Sequence, residues 1–91
     1  MVNLQEILNE LKLFLWDLED CDSRENMVKI KENINNTAEK LCKSPEKDYS
    51  DIGQSITPIK FMFGTVSLRL EIDFSVKKIQ TAINILNEII E

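Results

Sequence analysis

Across the first eighteen residues apolar side chains recur every three or four positions: Leu4, Ile7, Leu8, Leu11, Phe14, Leu15 and Leu18. Only a helix gathers that spacing on one face, so the chain must open with a helix that buries this stripe. Asn3 with Glu6 three residues later has the form of an N-cap and its capping-box partner, which sets the start. The pattern breaks at Asp20–Ser23. There Asp22 with Glu25 offers a second N-cap, and Met27, Ile30, Ile34, Ala38 and Leu41 follow on one face. So short a turn predicts that the second helix runs antiparallel to the first. With two glycines, two prolines, and nothing that reads as linker or repeat, the 91 residues are expected to form one small ordered domain, 1–91.

The second half is less regular. Ser44–Pro45 suits an N-cap and a first helical position, but Glu46 to Ser55 is polar apart from Tyr49, Ile52 and Gly53. This predicts one short turn and then irregular chain, with Tyr49 as a half-buried packing residue. From Ile59 the apolar period is two: Ile59, Phe61 and Phe63, then Val66, Leu68, Leu70, Ile72, Phe74 and Val76, alternate with polar or charged residues and Met62. Between the two runs lies Gly64–Thr65, a fit for a type II′ turn. That turn would pair Phe63 with Val66, Phe61 with Leu68 and Ile59 with Leu70, all on one face, giving a β-hairpin over about 59–74. The rival is a helix opened by Thr57–Pro58. It scatters Val66, Leu70 and Phe74 to one side and Leu68 and Ile72 nearly to the other. A last helix, about Ser75 to Ile90, carries Ile79, Ala82, Ile83, Leu86, Ile89 and Ile90 over a broad arc, with Ile85 just outside it. So wide a surface suits a helix wedged between two partners, and Ile85 and Ile89 are the candidate contacts of a homodimer. The expected fold class is α+β: two long antiparallel helices, a β-hairpin and a C-terminal helix. The alternative is an all-α four-helix bundle.

All of the net charge lies at one end. Glu6, Glu10, Asp17, Glu19, Asp20 and Asp22 against Lys12 alone give −5 over residues 1–22, and residues 23–91 balance at ten acids and ten bases. On the first helix Leu13 and Trp16 are stranded opposite the core stripe, among Glu6, Asn9 and Asp20. Either another element covers them or they form a docking surface, for which tryptophan is a favoured anchor. The acidic run ends the helix where carboxylates oppose its macrodipole. Leu13, Trp16, Asp17 and Asp20 are therefore the candidate partner-binding residues, and the complementary partner is a basic protein.

Other chemistry is thinly represented. The chain has no histidine, which removes the commonest general base, the usual nucleophile pairs and every zinc site that uses imidazole. Cys21 and Cys42, at the ends of two proposed helices, stand too far apart for a disulfide, and are expected to be free and reduced. The glycines, Gly53 and Gly64, form no phosphate-binding pattern, and the spacing of Asp17, Glu19, Asp20 and Asp22 matches no calcium loop. No enzyme activity, cofactor or metal is expected. Nucleic acid is not expected either, because the lysines of the second helix are interleaved with acids and Lys60 facing Arg69 across the hairpin is the one basic pair. No apolar run approaches the length of a membrane span, an acidic helix is repelled by anionic lipid, and no basic residue precedes Lys12 as a secretory signal would require. A cytoplasmic protein is the simplest expectation.

The stretch Ile72-Asp73-Phe74-Ser75, leading into a helix that ends Ile85-Leu86-Asn87-Glu88-Ile89, resembles the entry to the last helix of class IIa bacteriocin immunity proteins. The opening Glu6-Ile7-Leu8-Asn9-Glu10-Leu11 is similar to that family as well. The resemblance implies a cytoplasmic four-helix bundle that protects its producer, and a third helix where the alternation predicts a hairpin. The function expected from the residues is non-catalytic: a small acidic inhibitor, immunity protein, antitoxin or chaperone that binds a basic protein through its first helix. The alternatives are a homo-oligomer that sequesters a small ligand, and the immunity-like bundle.

Overall fold

A computed structural model of the chain describes residues 3–61 and 66–90. It holds four α-helices, α1 (Leu4–Glu19), α2 (Arg24–Cys42), α3 (Lys47–Ile56) and α4 (Leu68–Ile90), with a 3-10 turn, Thr57–Phe61, after α3. Among the described residues there is no strand, so the expected α+β fold with a hairpin over 59–74 is corrected to the all-α bundle. The bundle measures 35 × 21 × 17 Å.

α1 and α2 form where their stripes place them. The Asn3 side chain accepts from Gln5 N at 2.7 Å, and Ile7, Leu8, Leu11, Phe14 and Leu18 are buried. The cap of α2 is Ser23, one residue beyond Asp22: Ser23 Oγ accepts from Asn26 N at 3.1 Å, while Asp22 Oδ1 takes the Asn26 side chain at 2.9 Å. Met27, Ile30, Ile34, Ala38 and Leu41 are buried, together with Thr37. α1 packs closely on α4 and α2 on α3, α3 also meets α4, and the 3-10 turn lies against α2.

The residues read as irregular chain form α3, a helix of three turns whose buried face is Ile52, Gly53 and Ile56, continued by Ile59 in the 3-10 turn. Tyr49 packs half-buried against this core.

α4 begins two turns earlier than the expected Ser75. Its buried face is Glu71, Ser75, Ile79, Ala82, Ile83 and Leu86, a 3/4-spaced stripe whose first two members are polar. Those two residues disguise the helix. Glu71 is 2% exposed and bound by two cations of α2, Arg24 Nη1 at 3.1 Å and Lys31 Nζ at 2.8 Å. Ser75 Oγ donates to the Glu71 carbonyl at 2.9 Å. With both polar groups satisfied, burial carries no open desolvation cost, and period two loses to a helix held by long-range partners. The apolar alternates are spread around α4: Leu68, Ile72, Phe74 and Val76 pack half-buried on the core, and Leu70 is 58% exposed. The proposed pair Ile59–Leu70 is thus undone, Ile59 being buried in the core and Leu70 on the surface. Lys60 does not face Arg69 across a hairpin; its ammonium sits over the Phe61 ring, 5.0 Å from the centroid. Phe63 and the Gly64–Thr65 turn lie outside the described residues. Ile85 and Ile89, the expected dimer contacts, are half-buried and packed against the core.

Candidate functional site: the outer face of α1 and its seam with α2

The burial of α1 leaves a ridge that no other element among the described residues covers. Trp16 is 71% and Leu13 60% exposed, so neither is taken up by the other helices. Leu13 is the hinge of this surface. Toward the solvent pole it lines a shallow hollow with Asn9, Lys12 and Trp16. Toward α2 it lines a cleft of about 300 Å³ with Glu10, Phe14, Asp17, Asn33, Asn36, Thr37 and Lys40. Asp17 continues into a further cleft of about 230 Å³, shared with Asp20, Cys21, Asn26, Lys29 and Ile30. Leu13, Trp16, Asp17 and Asp20 therefore form one continuous strip, with Trp16 on the ridge and the two aspartates turned toward α2.

The seam between α1 and α2 is open because long polar side chains stand along it. α1 contributes Glu10, Asp17 and Asp20, and α2 contributes Asn33, Asn36, Lys29 and Lys40. A hydrogen bond crosses the seam, from Thr37 Oγ1 to Glu10 Oε1. Among the described residues no ion pair joins the two rims. The level of each residue follows from the linings: Asp17 and Asp20 stand beside Lys29, and Glu10 beside Lys40, as antiparallel helices require.

On its other flank α2 carries a surface absent from the expectations. Val28, Lys31, Glu32, Asn35 and Lys60 line a cleft of about 250 Å³, in which Val28 is an exposed apolar side chain. Asn35 Oδ1 is buried there without a hydrogen-bond partner among the described residues. The sequence signal was Val28, an apolar residue off the core face of α2.

Both cysteines are free thiols, Cys21 Sγ 3.4 Å from the Ser23 carbonyl and Cys42 Sγ 3.7 Å from Thr57 Oγ1. Among the described residues no group of histidine, cysteine or acidic side chains is arranged to hold a metal ion. Among the same residues no helix is long and apolar enough to cross a membrane. Comparison with protein-family models, with curated proteins and with solved structures gave no match.

Proposed function

We propose that this chain is a non-catalytic binding module, a small acidic inhibitor, immunity protein, antitoxin or chaperone of a cytoplasmic setting, that captures a basic protein through α1. The observation that carries the reading is the uncovered pair Trp16 and Leu13, contiguous with Asp17 and Asp20 in the 1–22 segment that holds the net charge. A large aromatic left on a rigid helix is the kind of residue that dominates binding energy, and the carboxylates around it favour arginine and lysine on the other side. The immunity form of this reading draws support from the all-helical bundle alone: α3, Lys47–Ile56, precedes the 59–74 segment where the resemblance implied a third helix.

The test is affinity capture from the native lysate with the natural chain and with Trp16→Ala, followed by kinetics on the captured protein. The expected partner is basic, and Trp16→Ala raises its off-rate about 10- to 100-fold, the loss of a hot spot of about 2 kcal/mol. Asp17→Asn with Asp20→Asn slows association and flattens its salt dependence, because steering acts on encounter. A partner that binds Trp16→Ala at full strength defeats the reading.

A further inference from the structure

The rims of the α1/α2 seam carry opposite charge: Glu10, Asp17 and Asp20 on one, Lys29 and Lys40 on the other. Asp17, Asp20, Lys29 and Lys40 are all exposed, and no ion pair uses them within one chain among the described residues. Between the rims lie the side chain of Leu13 and the two open clefts.

A surface with an acidic edge and a basic edge is complementary to itself under one kind of rotation. When the two-fold axis runs along the seam, parallel to the helices, the left edge of one copy meets the right edge of the other. The rotation also preserves height along the axis, so residues that are level within one chain are level across the pair. An axis perpendicular to the seam does the reverse and sets acid against acid. From these rims we infer that the chain forms an isologous dimer through the α1/α2 seam, α1 of each copy lying over α2 of the other. Asp17 and Asp20 then face Lys29 of the partner subunit, and Glu10 faces Lys40 of the partner subunit. Facing helices run antiparallel, and Leu13 is covered. Trp16, on the ridge away from α2, stays outside the contact.

The net charge of −5 sets two copies against each other at long range, but at about 0.15 M salt the screening length is about 8 Å. Charges in contact across the seam outlast that screening; distant ones do not. The dimer shares Leu13, Asp17 and Asp20 with the partner-binding face, so a basic partner and the second copy compete for it. The dimer does not depend on that partner's existence.

Sedimentation equilibrium at 0.15 M salt, with four chains, tests this. The natural chain is expected to pass from 10.6 kDa toward twice that mass as concentration rises to high micromolar. Lys29→Glu with Lys40→Glu makes both rims acidic and is expected to raise the dimer dissociation constant at least 10-fold. Asp17→Lys with Asp20→Lys sets base against base at the level of Lys29 and is expected to do the same, although it lowers the net charge that general repulsion would respond to. The chain bearing all four changes has unaltered net charge and opposite charges again where positions 17 and 20 meet position 29, while the unchanged Glu10 meets an acid at position 40, so it is expected to recover most, not all, of the lost affinity. Thermal melts of all four confirm folding. A natural chain that stays at 10.6 kDa overturns the inference, as does dimerisation undiminished in either single-rim variant or unrestored in the four-fold one. Trp16→Ala separates the two readings: it is expected to leave the dimer intact while releasing the basic partner, whereas loss of the dimer with it would place the interface on the ridge and overturn the seam.

Discussion

α2 is bordered by two seams of different kinds. On the α3 side the helices approach so closely that a Cβ on Gly53 would come within 2.9 Å of the backbone nitrogen of Cys42, its Sγ, and the Cβ of Leu41. On the α1 side the helices stand apart over two clefts. Both seams have apolar floors. What differs is the margin: glycine and cysteine at one, and carboxylates, asparagines and lysines at the other. Small side chains let backbones meet, whereas charged ones must keep their solvent and so hold helices apart. Close packing is thereby concentrated at the α2/α3 and α1/α4 seams, and the outer margin of the α1/α2 seam is free to carry chemistry at little risk to the fold.

That contrast is broken or sharpened by substitution on each side. The largest effect is expected from Ile52→Ala in α3, the helix that packs on both α2 and α4, where the side chain is fully buried in the core. Loss of its packing and the cavity left behind should cost about 2–5 kcal/mol, read as a lower urea midpoint at unchanged slope. A loss under about 1 kcal/mol would mean that this side is no tighter than the other.

Next is Lys31→Met, which leaves the buried Glu71 carboxylate with Arg24 alone. Removing both cations would expose the full penalty of an unpaired buried charge; removing one is expected to cost about 1–3 kcal/mol. Amide exchange should quicken first in the opening turns of α4, the segment this pair anchors. Uniform quickening along the chain would show that the pair serves the whole bundle.

Gly53→Ala follows. The alanine gains about 1 kcal/mol of helix propensity, but the methyl group meets backbone, which yields less readily than a side-chain tip. A net loss of about 1 kcal/mol is expected by denaturant unfolding. Adding Cys42→Ala should recover part of it and no more, since the Cys42 nitrogen remains in the way. Full recovery would assign the closeness of this seam to the thiol.

How much of this was legible follows from which residues make the stripes. α1 and α2 could be read because their buried faces are almost wholly apolar. α3 could not, because its face is short and includes a glycine. The first turns of α4 could not, because Glu71 and Ser75 occupy core positions and are satisfied by Arg24, Lys31 and a backbone carbonyl, partners fixed only by the tertiary fold. Freed of those two polar signals, the remaining apolar residues imitated a strand. The candidate site divides in the same way. Leu13 and Trp16 stood out as apolar residues off the α1 stripe. That Lys29 would rise opposite Asp17 and Asp20, and Lys40 opposite Glu10, was not readable, since it depends on which flank of α1 faces α2 and which faces α4.

The smallest effect is the sharpest probe of the open side. Leu13→Ala and Trp16→Ala remove the two largest uncovered apolar groups of α1, yet each is expected to change stability by less than about 0.5 kcal/mol. A residue that buries little on folding returns little when it is removed, and alanine is the better helix former at both positions. The indole should emit as a solvated fluorophore in the isolated chain, and that emission should shift to the blue only when a partner covers the ridge. The comparison turns on this pair of measurements. If Trp16→Ala lowers the urea midpoint as much as Gly53→Ala does, α1 depends on its outer face for folding, and the two seams differ in shape alone. If the midpoint holds while emission responds to a basic partner, the apolar surface on α1 serves association and contributes nothing that the bundle needs to stand.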